Sequence, residues 1–240
     1  MKIVAVVLAS GSGQRFEALN TPKHLTPVLD VPVIVWTLST IIESGLFSSV
    51  VVVVRKKDLS ETESKIKKYA IGDLSKVFFE IGADDRTDSF LNGFEKLTKN
   101  KLVDEDSMVA LFDANRPLTP KIQIKSLFEI ALKAGCSCPA RPVINGVARI
   151  EGNKIVEVPE KNKFIEFVTP EFLYLRHFSN LEIPFLHGHN CFVEYALTNS
   201  CMPETILSTS LNSKLTYPED KTFLEGLAVD NAIKKPEKLT

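Results

Sequence analysis

Cysteine is scarce in this chain and carries no pattern. Cys136, Cys138, Cys191 and Cys201 are the four in 240 residues, and none forms a C-x-x-C pair. That argues against a disulfide framework and a zinc site, and a chain of this length needs no covalent staples. Cys136 and Cys138 stand two apart, which puts them on one face of a strand as small buried side chains. A reduced, cytoplasmic setting is the expectation. Charge of one sign is also lacking: 29 Lys and Arg face 30 Asp and Glu, for a formal net charge of -1. No global field then favours nucleic acid or an anionic membrane, so neither is expected as a partner. No apolar run reaches the length of a membrane span. The segment after Met1-Lys2 has one basic residue and no clear cleavage site, so it reads as a first strand rather than a signal peptide. Internal repeats, low-complexity tracts and flexible linkers are absent, which gives a single domain over residues 1–240.

What is present is organised around one stretch near the start. Val6-Val7-Leu8-Ala9 runs into Ser10-Gly11-Ser12-Gly13-Gln14-Arg15-Phe16, and Pro22-Lys23-His24 follows. A buried strand thus enters a glycine loop whose backbone N–H groups can approach a ligand closely. Arg15 and Lys23 supply the countercharge a polyphosphate needs. Phe16 occupies the third position of a G-x-G-x-x-G fingerprint, and the G-x-x-x-x-G-K-[ST] pattern is missing. An ordinary strand-to-helix turn is the bland alternative. Ala9, Ser10, Gly11, Ser12, Gly13, Arg15 and Lys23 are read as the cradle of a nucleoside triphosphate.

Strands and helices alternate along the first part of the chain. Residues 3–9, 50–54, 77–81 and 108–112 read as buried strands. Residues 32–44 form a helix with proline near its start, Ser60 opens another with Glu63 as a capping box, Thr87 caps a third through Leu97, and residues 122–133 form a fourth, stopped by Gly135. This alternation predicts an α/β fold with a mostly parallel, doubly wound sheet, in which ligands sit beyond the carboxyl ends of the strands. Those ends carry Ser10-Gly11-Ser12-Gly13, Gly82-Ala83-Asp84-Asp85-Arg86 and Asp113-Ala114-Asn115-Arg116. Residues 147–158 then alternate as a hairpin about Gly152-Asn153 and break the rhythm as a projecting arm. Residues 164–168 and 205–208 read as strands, 190–198 as a helix, and 218–233 as a closing helix with Pro218 in its first turn.

Six motifs in this order resemble the IspD/TarI cytidylyltransferases: Ala9 to Arg15, Pro22-Lys23-His24, Arg86-Thr87-Asp88-Ser89, Phe112-Asp113-Ala114-Asn115-Arg116-Pro117, Thr169-Pro170-Glu171-Phe172, and Lys214-Leu215-Thr216-Tyr217-Pro218-Glu219-Asp220. The resemblance spans nearly the whole chain and implies a Rossmann-like nucleotidyltransferase fold. It implies that CTP and a small phosphorylated alcohol give a CDP-alcohol and pyrophosphate. It places Arg15 and Lys23 on the triphosphate, Asp113 on Mg2+, Lys214 at the α-phosphate, and Gly82, Ala83, Asp84 and Ser89 at the nucleoside. Arg116 and Thr169 match acceptor positions. Lys161 stands where the family usually has an arginine, Ile144-Asn145 where it has Asp-Thr, and Asn190-Cys191-Phe192 where it has Thr-Asp-Glu or Thr-Asp-Ala. Lys161 and Asn190 complete the acceptor set, and these departures predict shared chemistry on a different acceptor. The resemblance also implies a homodimer formed through the 147–158 arm.

The chemistry agrees with these residue types. The second pKa of a phosphomonoester is about 6, so the attacking oxygen is already deprotonated near neutrality and no general base is needed. The task is to hold two anions together and stabilise developing charge. Each candidate also has a plainer role: Asp113 as a helix cap, Lys214 as a solvated loop lysine, Arg116 as a structural partner of a carboxylate, and His187-Gly188-His189 as a polar loop. The competing functions are a nucleotidyltransferase for another base, one using a hexose phosphate or phosphonate acceptor, and a non-catalytic nucleotide-binding protein.

Overall fold

The structure is a computed structural model that describes residues 1–11, 21–178 and 188–239. Ser12, Gly13, Arg15 and His187, four of the residues singled out above, lie outside the described residues. In chain order the strands and helices are β1 (Ile3–Leu8), β2 (Pro27–Val28), β3 (Val31–Pro32), α1 (Val33–Glu43), β4 (Ser49–Val54), α2 (Leu59–Ile66), β5 (Val77–Ile81), α3 (Arg86–Lys99) and β6 (Met108–Asp113). There follow α4 (Lys121–Ala134), β7 (Cys136–Pro142), β8 (Arg149–Glu151), β9 (Lys154–Glu157), β10 (Ile165–Phe167), β11 (Glu171–Tyr174), α5 (Phe192–Thr198), β12 (Glu204–Leu207) and α6 (Asp220–Asp230).

The main sheet runs β10-β7-β11-β6-β1-β4-β5, with β12 also on β7. The valine-rich strands form its parallel centre: β1 pairs with β4 and β6, and β4 with β5. Because side chains alternate across a sheet, each central strand feeds two cores. Ala5, Val7, Val50, Val52, Met108, Ala110 and Phe112 pack with Ile34, Leu38, Ile124 and Leu224 from α1, α4 and α6. Val4, Val6, Val51, Val53, Val109 and Leu111 pack with Phe90, Phe94, Phe192 and Tyr195 from α3 and α5. Cover on both faces is what uninterrupted apolar strands require, and the expected doubly wound α/β sheet is what forms.

The sheet becomes mixed beyond β6. A strand the sequence pattern did not reveal, β11, inserts antiparallel between β6 and β7. The 147–158 segment does form a hairpin, β8 with β9, and Ile150, Ile155 and Val158 on it are all well over half exposed.

Four helix starts differ from expectation, the simplest being α5, which begins at Phe192 rather than Asn190. The turn at Lys56–Asp58 leads straight into α2, so Asp58 rather than Ser60 takes the cap position. No capping box forms, because Glu63 turns to Lys67 (3.4 Å). In α3 the cap is Asp85, whose Oδ1 accepts from the Asp88 N–H at 2.8 Å, which leaves the Thr87 hydroxyl to donate to the His189 carbonyl at 2.9 Å. The closing helix begins at Asp220, two residues after Pro218. The Asp220 carboxylate accepts from the Thr216 and Tyr217 N–H groups at 2.7 and 2.8 Å and so holds a turn ahead of the helix.

Candidate functional site

The carboxyl ends of β1, β5 and β6 converge on one pocket. Its walls include Ala9, Ser10 and Gly11 after β1, Lys23 and His24, Ala83, Asp84 and Arg86 after β5, Asp113 and Asn115 after β6, and Lys214 from the distant C-terminal segment. The structure thus brings together Ala9, Ser10, Gly11, Lys23, Ala83, Asp84, Asp113 and Lys214 from the sequence-derived set. Ser89 sits directly behind. Its hydroxyl meets Ser10 Oγ at 2.9 Å, accepts from the Ala83 N–H at 3.0 Å, and so ties the loop after β5 to the loop after β1. Gly82 is glycine for want of room: a Cβ there would collide with the Ser10 side chain and lie 2.9 Å from Ser89 Oγ.

Asp113 is the electrostatic centre. It is 9% exposed, and Lys214 Nζ donates to its Oδ2 at 2.9 Å. Arg116 Nε lies 3.5 Å from Oδ2 and Arg86 Nη2 lies 3.6 Å from Oδ1. Burial by itself would push this carboxyl up. The charges of Lys214, Arg86 and Arg116 outweigh burial and hold it well below the usual carboxylate range. The site therefore presents an ionised carboxylate and a lysine in contact at the pocket wall.

Lys214 is held there by backbone contacts on both sides. Asn115 Nδ2 donates to the Leu215 carbonyl at 2.7 Å, and the Leu215 N–H donates to the Asn115 carbonyl at 2.8 Å. Arg116 Nη1 donates to the Asn212 carbonyl at 2.7 Å, and Thr119 Oγ1 to Asn212 Oδ1 at 2.9 Å. The loop after β6 thus grips residues 212–215 and fixes where the lysine begins.

The four acceptor candidates do not line this pocket. Arg116 and Thr169 are buried beside it and share Asn212, whose Nδ2 donates to the Thr169 carbonyl at 2.8 Å. Asn190 lies ahead of α5, where its carbonyl accepts from Arg86 Nη1 at 2.7 Å. Lys161 is exposed in the turn after the hairpin, and its Nζ donates to the Ile144 carbonyl at 3.0 Å. His189 Nε2 shares a hydrogen bond with Thr198 Oγ1 at 3.1 Å, and among the described residues no group of three or more His, Cys, Asp or Glu is placed to hold a metal.

Sequence reasoning quoted Arg86 and Glu171 within motifs but assigned neither a role. Glu171 is 2% exposed at the head of β11. Its Oε2 accepts from the Phe192 and Val193 N–H groups at 2.7 and 3.3 Å, and Oε1 lies 3.7 Å from Arg86 Nη2. Burial raises this carboxyl to about 7 against the pull of Arg86 and the two N–H groups. Arg86 therefore bridges two carboxylates and the segment before α5. A charged residue opening the apolar run Glu171-Phe172-Leu173-Tyr174 was the available signal. His24, in the Pro-Lys-His motif, is lowered to about 4 by burial. The Thr62 hydroxyl donates to the Asp58 carbonyl, so it accepts from His24 Nε2 at 2.8 Å and fixes the neutral tautomer with its proton on Nε2.

Comparison with known proteins gives a consistent result. The family described as IspD: 2-C-methyl-D-erythritol 4-phosphate cytidylyltransferase matches residues 3–226. A 2-C-methyl-D-erythritol 4-phosphate cytidylyltransferase of Actinobacillus pleuropneumoniae serotype 7 is 25% identical over 236 residues, covering 97% of this chain and 99% of that protein. A ribitol-5-phosphate cytidylyltransferase of Lactiplantibacillus plantarum is 24% identical over 174 residues, covering 72% and 74%. Among solved structures, a 4-diphosphocytidyl-2C-methyl-D-erythritol synthase superposes with a TM-score of 0.76 at 21% identity, covering 94% of this chain and 97% of that one. The Francisella tularensis 2-C-methyl-D-erythritol 4-phosphate cytidylyltransferase gives 0.72 at 19% identity, covering 93% and 98%. At these identities the two structures speak for the fold.

Proposed function

The chain belongs to the IspD family of nucleotidyltransferases, and from that membership we propose that it transfers CMP from CTP to a small phosphorylated alcohol and releases pyrophosphate. One observation carries the reading: Lys23, the carboxylate of Asp113 and Lys214 share a pocket with the loops after β1 and β5. An oxygen of the acceptor phosphate attacks the α-phosphorus of CTP. The bond from that phosphorus to the bridging oxygen of the β-phosphate breaks, and pyrophosphate leaves with the electron pair. The acceptor oxygen is already anionic, so no residue has to remove a proton. Lys214 and Lys23 offer positive charge to the oxygens that gain negative charge, in fixed positions set before the reaction. Asp113 orients Lys214 through their 2.9 Å contact.

Asp113 also fits a magnesium ion. It is ionised, faces the pocket and offers hard oxygen atoms, and magnesium is commonly held by one or two carboxylates with substrate phosphates completing its shell. A magnesium ion bound there would neutralise phosphate charge during transfer. The acceptor is a phosphomonoester or a closely similar dianion. Methylerythritol phosphate is not the favoured acceptor, because Ile144-Asn145, Lys161 and Asn190 replace the residues usual in the family. The exposed apolar residues on β8 and β9 favour a homodimer built through residues 147–158, since a lone two-stranded hairpin is marginal in water.

The test is pyrophosphate release measured with each of the four nucleoside triphosphates, magnesium and a panel of phosphorylated polyols, sugars and phosphonates. CTP is expected to be preferred with at least one phosphorylated alcohol. Faster release with UTP or GTP would overturn the cytidylyl assignment.

A further inference from the structure

A second group of cationic and hydroxyl donors lies beside the pocket, joined to it through the Arg116–Asp113 ion pair. Arg141, near the end of β7, donates from Nη2 to the Thr209 carbonyl at 2.8 Å. Arg116 donates from Nη1 to the Asn212 carbonyl at 2.7 Å. Those two carbonyls belong to one tight turn, in which the Asn212 N–H donates to the Thr209 carbonyl at 3.2 Å. Both guanidinium groups therefore dock on the same turn, Arg141 from β7 and Arg116 from the loop after β6. The same Asn212 reaches Thr169 through its Nδ2.

Each of these residues keeps an unspent buried donor. Arg116 Nε, Arg141 Nε and Thr169 Oγ1 are buried and have no hydrogen-bond partner among the described residues. Arg116 is 8% and Thr169 3% exposed. Arg116 has Asp113 at ion-pair distance, 3.5 Å, whereas Arg141 has no carboxylate in that range among the described residues. Burial lowers the proton affinity of Arg116, Asp113 raises it, and the neighbouring Arg141 charge lowers it again. Two like charges thus stand together, and the Arg141 Nε and Thr169 Oγ1 donors beside them are unspent. Buried polar groups left without partners are destabilising, and a native structure keeps few of them without a reason. An oxyanion with several acceptor oxygens would offer partners to the Arg141 and Thr169 donors and relieve the repulsion. Guanidinium groups suit phosphate oxygens in particular.

We propose that Arg141, with Arg116 and Thr169, forms an oxyanion subsite for the phosphate of the acceptor, which makes Arg141 a specificity-determining residue outside the nucleotide pocket. This rests on the cytidylyl-transfer reading for the identity of the second substrate. Arg141 lies just before Pro142-Val143-Ile144-Asn145, where the chain departs from the family pattern. A basic residue at this position moves anion recognition onto β7, away from the exposed Lys161.

The experiment uses the full chain saturated with α,β-methylene CTP, which fills the nucleotide pocket and cannot be cleaved. Inorganic phosphate is then titrated in and followed by calorimetry. Arg141→Met is expected to weaken phosphate binding by about tenfold or more, as for loss of a hydrogen bond to a charged group, with Arg141→Lys in between. Affinity for the CTP analogue should stay at the wild-type value. If Arg141→Met loses stability and does not fold, Thr169→Val reports on the same subsite by removing one hydroxyl. Wild-type phosphate affinity in a folded Arg141→Met protein that still binds the analogue would overturn the subsite and leave the nucleotide reading intact. If the analogue fails to bind wild type, the nucleotide reading falls. The phosphate titration of the unliganded proteins then decides the subsite by the same comparison.

Discussion

Glu171 and His24 should pull the stability of this protein in opposite directions with pH. The Glu171 carboxyl is raised from an ordinary 4.5 to about 7 by burial, with Arg86 and the Phe192 and Val193 N–H groups opposing and Asp113 adding to the rise. The other titratable groups facing it are Cys136 and Cys138 on β7 and Cys191 before α5. Between pH 4.5 and 7 the folded chain holds a proton that the unfolded chain has released, so stability falls as pH rises through this window. At about 1.36 kcal/mol per pH unit the whole effect is on the order of 3 kcal/mol. His24 is lowered from 6.5 to about 4 by burial, so the unfolded chain binds the extra proton there. Its contribution is complete above pH 6.5 and is lost as pH falls toward 4, again by an amount on the order of 3 kcal/mol. The two slopes oppose each other from pH 4.5 to 6.5. Wild type should therefore be nearly flat in that range and lose stability between pH 6.5 and 7.5. Glu171→Gln keeps a carbonyl oxygen for the Phe192 N–H and cannot ionise. Urea unfolding from pH 4.5 to 8 should show its stability rising relative to wild type by about 3 kcal/mol across the series. His24→Asn should uncover the Glu171 slope over the whole window. Parallel curves for wild type and Glu171→Gln would refute the reasoning.

Lys214→Ala should reduce pyrophosphate release by about two to three orders of magnitude, as for loss of one preorganised electrostatic donor. Its melting temperature should change little, since Asp113 keeps Arg86 and Arg116, and a wild-type rate in the folded variant removes Lys214 from the chemistry. Asp113→Asn should abolish activity or raise the magnesium requirement, and should cost about 3 kcal/mol of stability, because three cations lose their shared anion; an active, equally stable variant would contradict both roles. Gly82→Ala should weaken CTP binding and lower the melting temperature, because the new methyl group meets the Ser10 and Ser89 side chains. Unchanged titrations of CTP would show that these loops can separate at no cost. Deleting residues 147–158 should give a monomer by light scattering that still binds CTP, and a dimer of the deleted protein would assign the interface elsewhere.

The centre of the fold was legible because its strands are uninterrupted β-branched or apolar runs, and Val50 to Val54 can scarcely be anything else. The pocket was legible for a related reason. Parallel strands put their carboxyl ends on one edge, so Ser10, Ala83 and Asp113 had to meet there. Strand β11 was not legible, since it is four residues long and opens on a glutamate. Helix starts failed where two capping residues competed, as at Asp85 and Thr87, and a contact to His189 decided which side chain was used. Arg86, Glu171 and Arg141 escaped because their roles depend on partners far along the chain, the carbonyls of Asn190 and Thr209 among them.

The grip of the loop after β6 on residues 212–215 has a consequence for the order in which the chain folds. Asn115 and Leu215 are 100 positions apart, and every contact that seats Lys214 closes a loop of about that length. The pairing of β1 with β6, where Ile3 faces Met108, closes a loop of similar length, so the entropic penalty is comparable and the order of synthesis makes the difference. During synthesis the pocket walls after β1, β5 and β6 emerge well before Lys214 does. Asp113 then has Arg86 and Arg116 as partners, while the lysine is still unmade. The lysine of the Asp113 pair arrives only when residues 212–215 dock, so on a growing chain the pocket is completed after its walls have formed.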